Sequence, residues 1–114
     1  MRAAYFVIPM LPPSGNANGK AGYKQARQEF RDMVKASISG SLDRSCVYRL
    51  TYTFYGQWLT TKGKPKKRDH RNFTKLLDDL VAGALDIDDS HFFDVRDVKC
   101  ESVEEYIEVQ IEAI

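Results

Sequence analysis

Phe73, Leu76, Leu77, Leu80, Val81 and Ala84 recur at i, i+3, i+4, i+7, i+8 and i+11. On a helix this spacing gathers six apolar side chains into one stripe. On a strand it would scatter them over both faces. The pattern therefore predicts a helix over Asp69–Leu85, and that helix needs another element on which to bury its stripe. Asp69 is a good N-cap candidate, since its carboxylate accepts from free backbone N–H groups and faces the positive end of the helix dipole.

The rest of the chain supplies such a partner. Ala3–Ile8 is apolar and rich in Tyr, Phe, Val and Ile, and reads as a buried strand. Pro9 and Pro12-Pro13-Ser14-Gly15-Asn16 end it. Tyr23–Ser37 reads as a first helix, with Ala26, Phe30, Met33 and Val34 at helical spacing. Cys46–Tyr55 alternates through Val47, Leu50, Tyr52 and Phe54 and reads as a strand. Gly56–Arg68 is a basic loop containing Trp58-Leu59, a candidate strand extension. Asp86–Ser90 is an acidic turn, and His91–Lys99 and Glu104–Ala113 read as two final strands. The expectation is an α+β fold in the order β-α-β-α-β-β, a small mixed sheet carrying two helices, formed as one domain over residues 1–114.

At 43% hydrophobic and 29% charged residues, the chain is too apolar for intrinsic disorder. No apolar run approaches the roughly 20 residues of a membrane span. The N-terminal apolar stretch is short and runs into Pro12-Pro13 without a small-residue cleavage site, unlike a signal peptide. Two cysteines, Cys46 and Cys100, are too few for a disulfide framework or a zinc cage. The default expectation is a reduced, soluble, cytoplasmic domain that does not act at a membrane.

The net charge is only +1, but it is strongly segregated. Residues 1–61 carry a balance of +5, residues 62–75 one of +6, and residues 76–114 one of −10. A partner feels such local fields within a Debye length, about 8 Å at physiological salt. Lys62, Lys64, Lys66, Lys67, Arg68 and Arg71 suit phosphate groups, or form an ordinary solvated loop. The C-terminal glutamates read as solvent-facing strand positions.

Candidate chemistry lies at the two ends of the second helix. Asp69 stands at its start, and Asp88-Asp89 just past its end. A helix of about 15 residues spans about 22 Å, so these points meet only if the chain returns or a second subunit supplies one of them. Asn72, Lys75 and Asp79 share one strip of the helix, within about 60° of each other. They form either a phosphodiester site near a metal or a solvated flank with a Lys75–Asp79 pair. His70 and His91 are isolated, neither Ser14 nor Cys46 has a visible base, and no glycine pattern matches a nucleotide-binding loop. Zinc, acyl-transfer chemistry and a nucleotide cofactor are disfavoured. Carboxylates beside a basic loop favour Mg²⁺, a hard cation that prefers oxygen ligands. Trp58 is open between base stacking and loop anchoring; Phe73 belongs to the core stripe.

Pro12-Pro13-Ser14-x-Asn16 after the first strand resembles the opening of the RusA family of Holliday-junction resolvases. Lys66-Lys67-Arg68-Asp69-His70-Arg71-Asn72-Phe73-Thr74-Lys75, then Asp79-Leu80, then Ile87-Asp88-Asp89-Ser90, resembles that family's core motif. The motif runs R-D-x-D-N-x-x-K, then D-A-L, then D-D-x-x-V, and Val98-Lys99 also fits. The resemblance covers nearly the whole chain in the right order. It implies an Mg²⁺-dependent homodimeric endodeoxyribonuclease, with Mn²⁺ able to substitute, that resolves branched DNA in recombination or repair; such proteins are often phage-encoded. By resemblance, Asp69, Lys75 and Asp89 are the catalytic residues. Asp69, Asp88 and Asp89 hold the metal, with Asn72 and Asp79 as support. The lysine- and arginine-rich segment, Lys62 to Arg71, binds DNA. One departure stands out. Arg71 occupies the place of the motif's second aspartate, leaving Asp69, Asn72, Asp88 and Asp89 as the oxygen donors. The alternative is a catalytically weakened or non-catalytic branched-DNA-binding module.

Overall fold

The computed structural model describes residues 1–13, 22–66 and 74–114. The elements follow the expected order: β1 (Ala3–Ile8), α1 (Tyr23–Ser37), β2 (Tyr48–Gly56), α2 (Thr74–Ala84), β3 (Phe92–Glu101) and β4 (Tyr106–Ala113). One turn of 3₁₀-helix over Asp89–His91 precedes β3. The four strands form one mixed sheet in the order β1-β4-β2-β3. β4 runs antiparallel to both β1 and β2, whereas β2 and β3 are parallel. Parallel neighbours require a crossover, and α2 provides it. Among the described residues no helix is long and apolar enough to cross a membrane.

One face of the sheet carries both helices. Tyr48, Leu50, Tyr52 and Phe54 of β2 and Ile107, Val109 and Ile111 of β4 form a single buried cluster with Phe30 and Val34 of α1 and Leu77, Val81 and Leu85. The β2 core face begins at Tyr48, and Val47 is only half-buried. The α2 stripe is likewise rotated from its expected centre. Leu77, Val81 and Ala82 are buried, whereas Leu76, Leu80 and Ala84 are half-buried. Phe73 lies outside the described residues. β1 is an edge strand and not a buried one: Tyr5 and Val7 are exposed, and only Ile8 is fully covered. Its apolar composition reflects pairing with β4 and not two-sided burial. The open face carries Tyr5, which donates to Glu108, and a stacked Tyr55–Tyr106 pair with ring centroids 4.3 Å apart. Glu112 on the same strand pairs with Arg49 at 3.2 Å. These glutamates are surface partners, as expected.

The end of α2 sets the chain's return path. Asp86 adopts φ 54°, Ile87 N–H donates to the Ala82 carbonyl at 3.0 Å, and Asp86 N–H donates to that of Gly83 at 3.4 Å. This is a Schellman termination, with Ile87 packed against the core. Arg44 holds the turn from outside, 3.0 Å from the Asp86 carboxylate. The Leu85 carbonyl accepts from Leu42 N–H at 3.1 Å, which ties the turn to the segment leading into β2.

Asp43 organises that segment. Its Oδ1 accepts from the Ser45 N–H at 2.8 Å and the Ser45 hydroxyl at 2.6 Å, and Arg2 lies 3.3 Å away. The Ser45 bonds, and then Arg2, hold the carboxyl down at about 2, against an ordinary value of 3.8. A lowered pKa means stability that is present above the ordinary value and lost as pH falls towards the folded one. Acid unfolding is therefore expected to steepen between those two values, and Asp43→Asn to flatten that limb, as read from urea midpoints across the acid range.

Candidate functional site

The site begins with two consecutive aspartates in the middle of α2. Asp78 follows the buried Leu77 and precedes Val81 by three positions, so it lies at the edge of the core stripe and is half-buried. There it accepts a 2.6 Å hydrogen bond from the hydroxyl of Tyr52. The Tyr52 ring is fully buried, and its oxygen reaches the acid layer above the core. Burial, then the charge of Asp78, raises the Tyr52 hydroxyl well above its ordinary value. Asp78 itself is raised, first by burial and then by Asp97, Asp79 and Asp89, against the opposing Tyr52 bond. Asp97 enters because it pairs in register with Tyr52 across β2 and β3. Directly paired residues point to the same face of a sheet, so Asp97 faces the helix layer.

Asp79, one residue on, is exposed and has Asp89 within hydrogen-bonding reach. Asp89 is accordingly raised above the ordinary carboxylate value, by the bond with Asp79 first, then by burial and by the charges of Asp79 and Asp88. Two carboxylates this close repel each other until a proton or a cation lies between them. Asp88 plays a different part. Its Oδ1 caps the 3₁₀ turn by accepting from Ser90 N–H at 2.9 Å, which lowers its pKa. His91 is held by the carbonyl of Cys46, 2.9 Å from Nδ1.

The chain does return along the helix, and among the described residues the second acidic point meets Asp79. The Schellman turn and the 3₁₀ turn bring Asp89 back beside the middle of α2. Asp79, expected to support the site or to pair with Lys75, faces Asp89. Lys75 stands exposed one turn before it. Asp69, Arg68, Lys67, Arg71 and Asn72 lie outside the described residues, as does His70.

The basic segment is a small hairpin as far as it is described. Leu59 and Pro65 bridge, Thr60 N–H donates to the Lys64 carbonyl at 2.7 Å, and Lys66 N–H donates to that of Trp58 at 2.8 Å. Gly63 closes the turn at φ 76°. Trp58 anchors it: the residue is 6% exposed, and its Nε1 donates to the Phe54 carbonyl at 2.9 Å. Lys99 sits 4.9 Å from the centroid of that ring. The Glu101 carboxylate, at the end of β3, accepts from the N–H groups of Trp58 and Leu59 at 2.7 and 3.1 Å. So Trp58 is a loop anchor, closed to base stacking, and Lys62, Lys64 and Lys66 are carried exposed on the hairpin.

Tyr52, Asp78 and Asp97 were not singled out by sequence reasoning. The signal for Asp78 is a carboxylate wedged into an apolar helical stripe. The signal for Tyr52 is a phenol in an otherwise apolar strand face. Asp97 carries no local signal, since only the register of two strands far apart in sequence places it. Among the described residues no group of three or more His, Cys, Asp or Glu side chains is arranged to hold a metal ion, so the close carboxylates form a pair and not a full ligand set. No protein-family model matches this chain, and no curated protein sequence matches it.

Proposed function

We propose that this protein is an Mg²⁺-dependent, structure-selective endodeoxyribonuclease acting as a homodimer on Holliday junctions and other branched DNA, in recombination or repair. The observation that carries the reading is the meeting of Asp79 and Asp89, two carboxyls that repel each other, with Lys75 one helical turn away and a lysine hairpin earlier in the sequence. The motif likeness from Lys66 to Ser90 supports it independently.

The donor set fits a hard divalent cation, since it offers oxygens alone and a charge deficit that a cation relieves. Asp79 and Asp89 would hold it, with Asp69 as the further ligand that the motif implies and Asp88 alongside. When bound, Mg²⁺ supplies Lewis-acid polarisation of the scissile phosphate and activation of water. Lys75 would offset the negative charge that builds up on the phosphoryl or leaving oxygens. Lys62, Lys64, Lys66, Lys67 and Arg68 hold backbone phosphates without reading bases. Arg71 favours a second reading, a binding module that does no chemistry, because an arginine replaces an oxygen ligand with a positive charge.

The test is a labelled synthetic four-way junction incubated with the protein, with Mg²⁺ or with a chelator, and resolved on a denaturing gel. Paired cuts that require the metal are expected. Intact strands in a stable complex would select the binding module, and Arg71→Asp would then be expected to restore cutting.

A further inference from the structure

Helix α1 carries a second cationic surface that the charge arithmetic of the basic loop does not include. Lys24, Arg27, Gln28 and Arg31 line a hollow of about 260 Å³. At 100° per residue they fall on one side of the helix, and exposed Lys35 extends the row by one more turn. From Lys24 to Lys35 the row is about 16 Å long, whereas a strand of B-DNA presents a phosphate about every 3.4 Å of axis.

Two observations mark the row as a site rather than a solvated flank. The Nε atoms of Arg27 and Arg31 are both buried without a hydrogen-bond partner. A guanidinium N–H withdrawn from water is costly unless an acceptor reaches it. The helix also contains acids that could have neutralised the arginines, and both are engaged with amides instead. Glu29 accepts from Gln25 at 3.2 Å, and Asp32 accepts from Gln28 at 2.9 Å. Among the described residues neither Arg27 nor Arg31 has a carboxylate within 4.0 Å.

We infer that the Lys24–Arg27–Arg31–Lys35 face of α1 is a phosphate-binding surface that grips the sugar-phosphate backbone of a DNA arm, apart from the lysine hairpin. Arginine forks match phosphate oxygens in pairs, and Arg27 and Arg31 stand one turn apart along the hollow with Lys24 and Lys35 beyond them. The identity of the polyanion as DNA rests on the proposed nuclease reading; the anion site itself does not.

The experiment measures binding of a labelled four-way junction and of a plain duplex in chelator, where no cutting occurs, over a series of salt concentrations. The Arg27→Gln/Arg31→Gln variant is expected to bind both at least about tenfold more weakly. The slope of log affinity against log salt should fall by about 1.8, for two lost phosphate contacts. Arg27→Lys/Arg31→Lys, which keeps the charge, should retain most of the slope and controls for folding. A glutamine variant with the parent's slope overturns the surface while leaving the nuclease reading untouched. Binding with the expected slope change but no metal-dependent cutting by the parent supports the surface and removes the nuclease. Binding of the parent to phosphatidylserine vesicles but not to DNA overturns the proposal.

Discussion

Asp89→Asn is expected to lower Mg²⁺-dependent cutting of a four-way junction by about 100-fold or more while leaving junction binding within a few-fold of the parent. The substitution keeps the shape of the side chain and removes one of the two charges that would share the cation. Loss of a few kcal/mol of metal-mediated transition-state stabilisation corresponds to that factor, at 1.36 kcal/mol per tenfold. Folding gives an independent readout. Asp89 is raised by its contact with Asp79, so the folded state binds its proton more tightly than the unfolded chain does. For a carboxyl raised in the folded state, stability is highest below the ordinary value of 3.8 and declines as pH rises through the folded one. The asparagine side chain cannot ionise, so the variant should melt at or above the parent temperature at neutral pH. Mg²⁺ should raise the melting temperature of the parent and not of the variant. A variant that cuts at the parent rate would remove Asp89 from the site; one that fails to cut because it is unfolded would melt below the parent.

Leu77→Ala is expected to destabilise the fold by about 2–5 kcal/mol, and Leu76→Ala by distinctly less. Leu77 is fully buried between α2 and the sheet, and its neighbour is only half-buried. Truncating a buried leucine loses both its transfer free energy and the packing around the cavity left behind. Against a total stability of about 5–15 kcal/mol, this is a large fraction. Urea midpoints with unchanged slopes measure the difference. Leu77 also seats the turn of helix that carries Asp78 and Asp79, so cutting should fall in the folded Leu77→Ala protein as well. Equal costs at positions 76 and 77 would show that α2 is rotated from the phase described above.

The element order was legible because each element announces itself locally. Two helices repeat apolar residues at 3.6, β2 alternates, and Pro12-Pro13 punctuates. Burial was less legible where it depends on neighbours. The apolar β1 looked like an interior strand, yet it lies at the edge, because strand order is a property of the assembled sheet. Trp58 was open between two roles for the same reason. Its anchor is the Phe54 carbonyl four residues earlier, while Glu101, 43 residues away, fixes its backbone.

The candidate site divides in the same way. Composition and spacing alone established that acidic groups gather in the C-terminal third, that lysines gather before α2, and that Lys75 and Asp79 share a strip of helix. Folding decided which carboxyls meet. Asp79 faces Asp89 because the Schellman turn at Asp86 reverses the chain, and Asp97 joins Asp78 because β2 and β3 run parallel in one particular register. Helical and strand periodicities are written in neighbouring residues, whereas the repulsion between Asp79 and Asp89 depends on a distance that only the packed crossover sets.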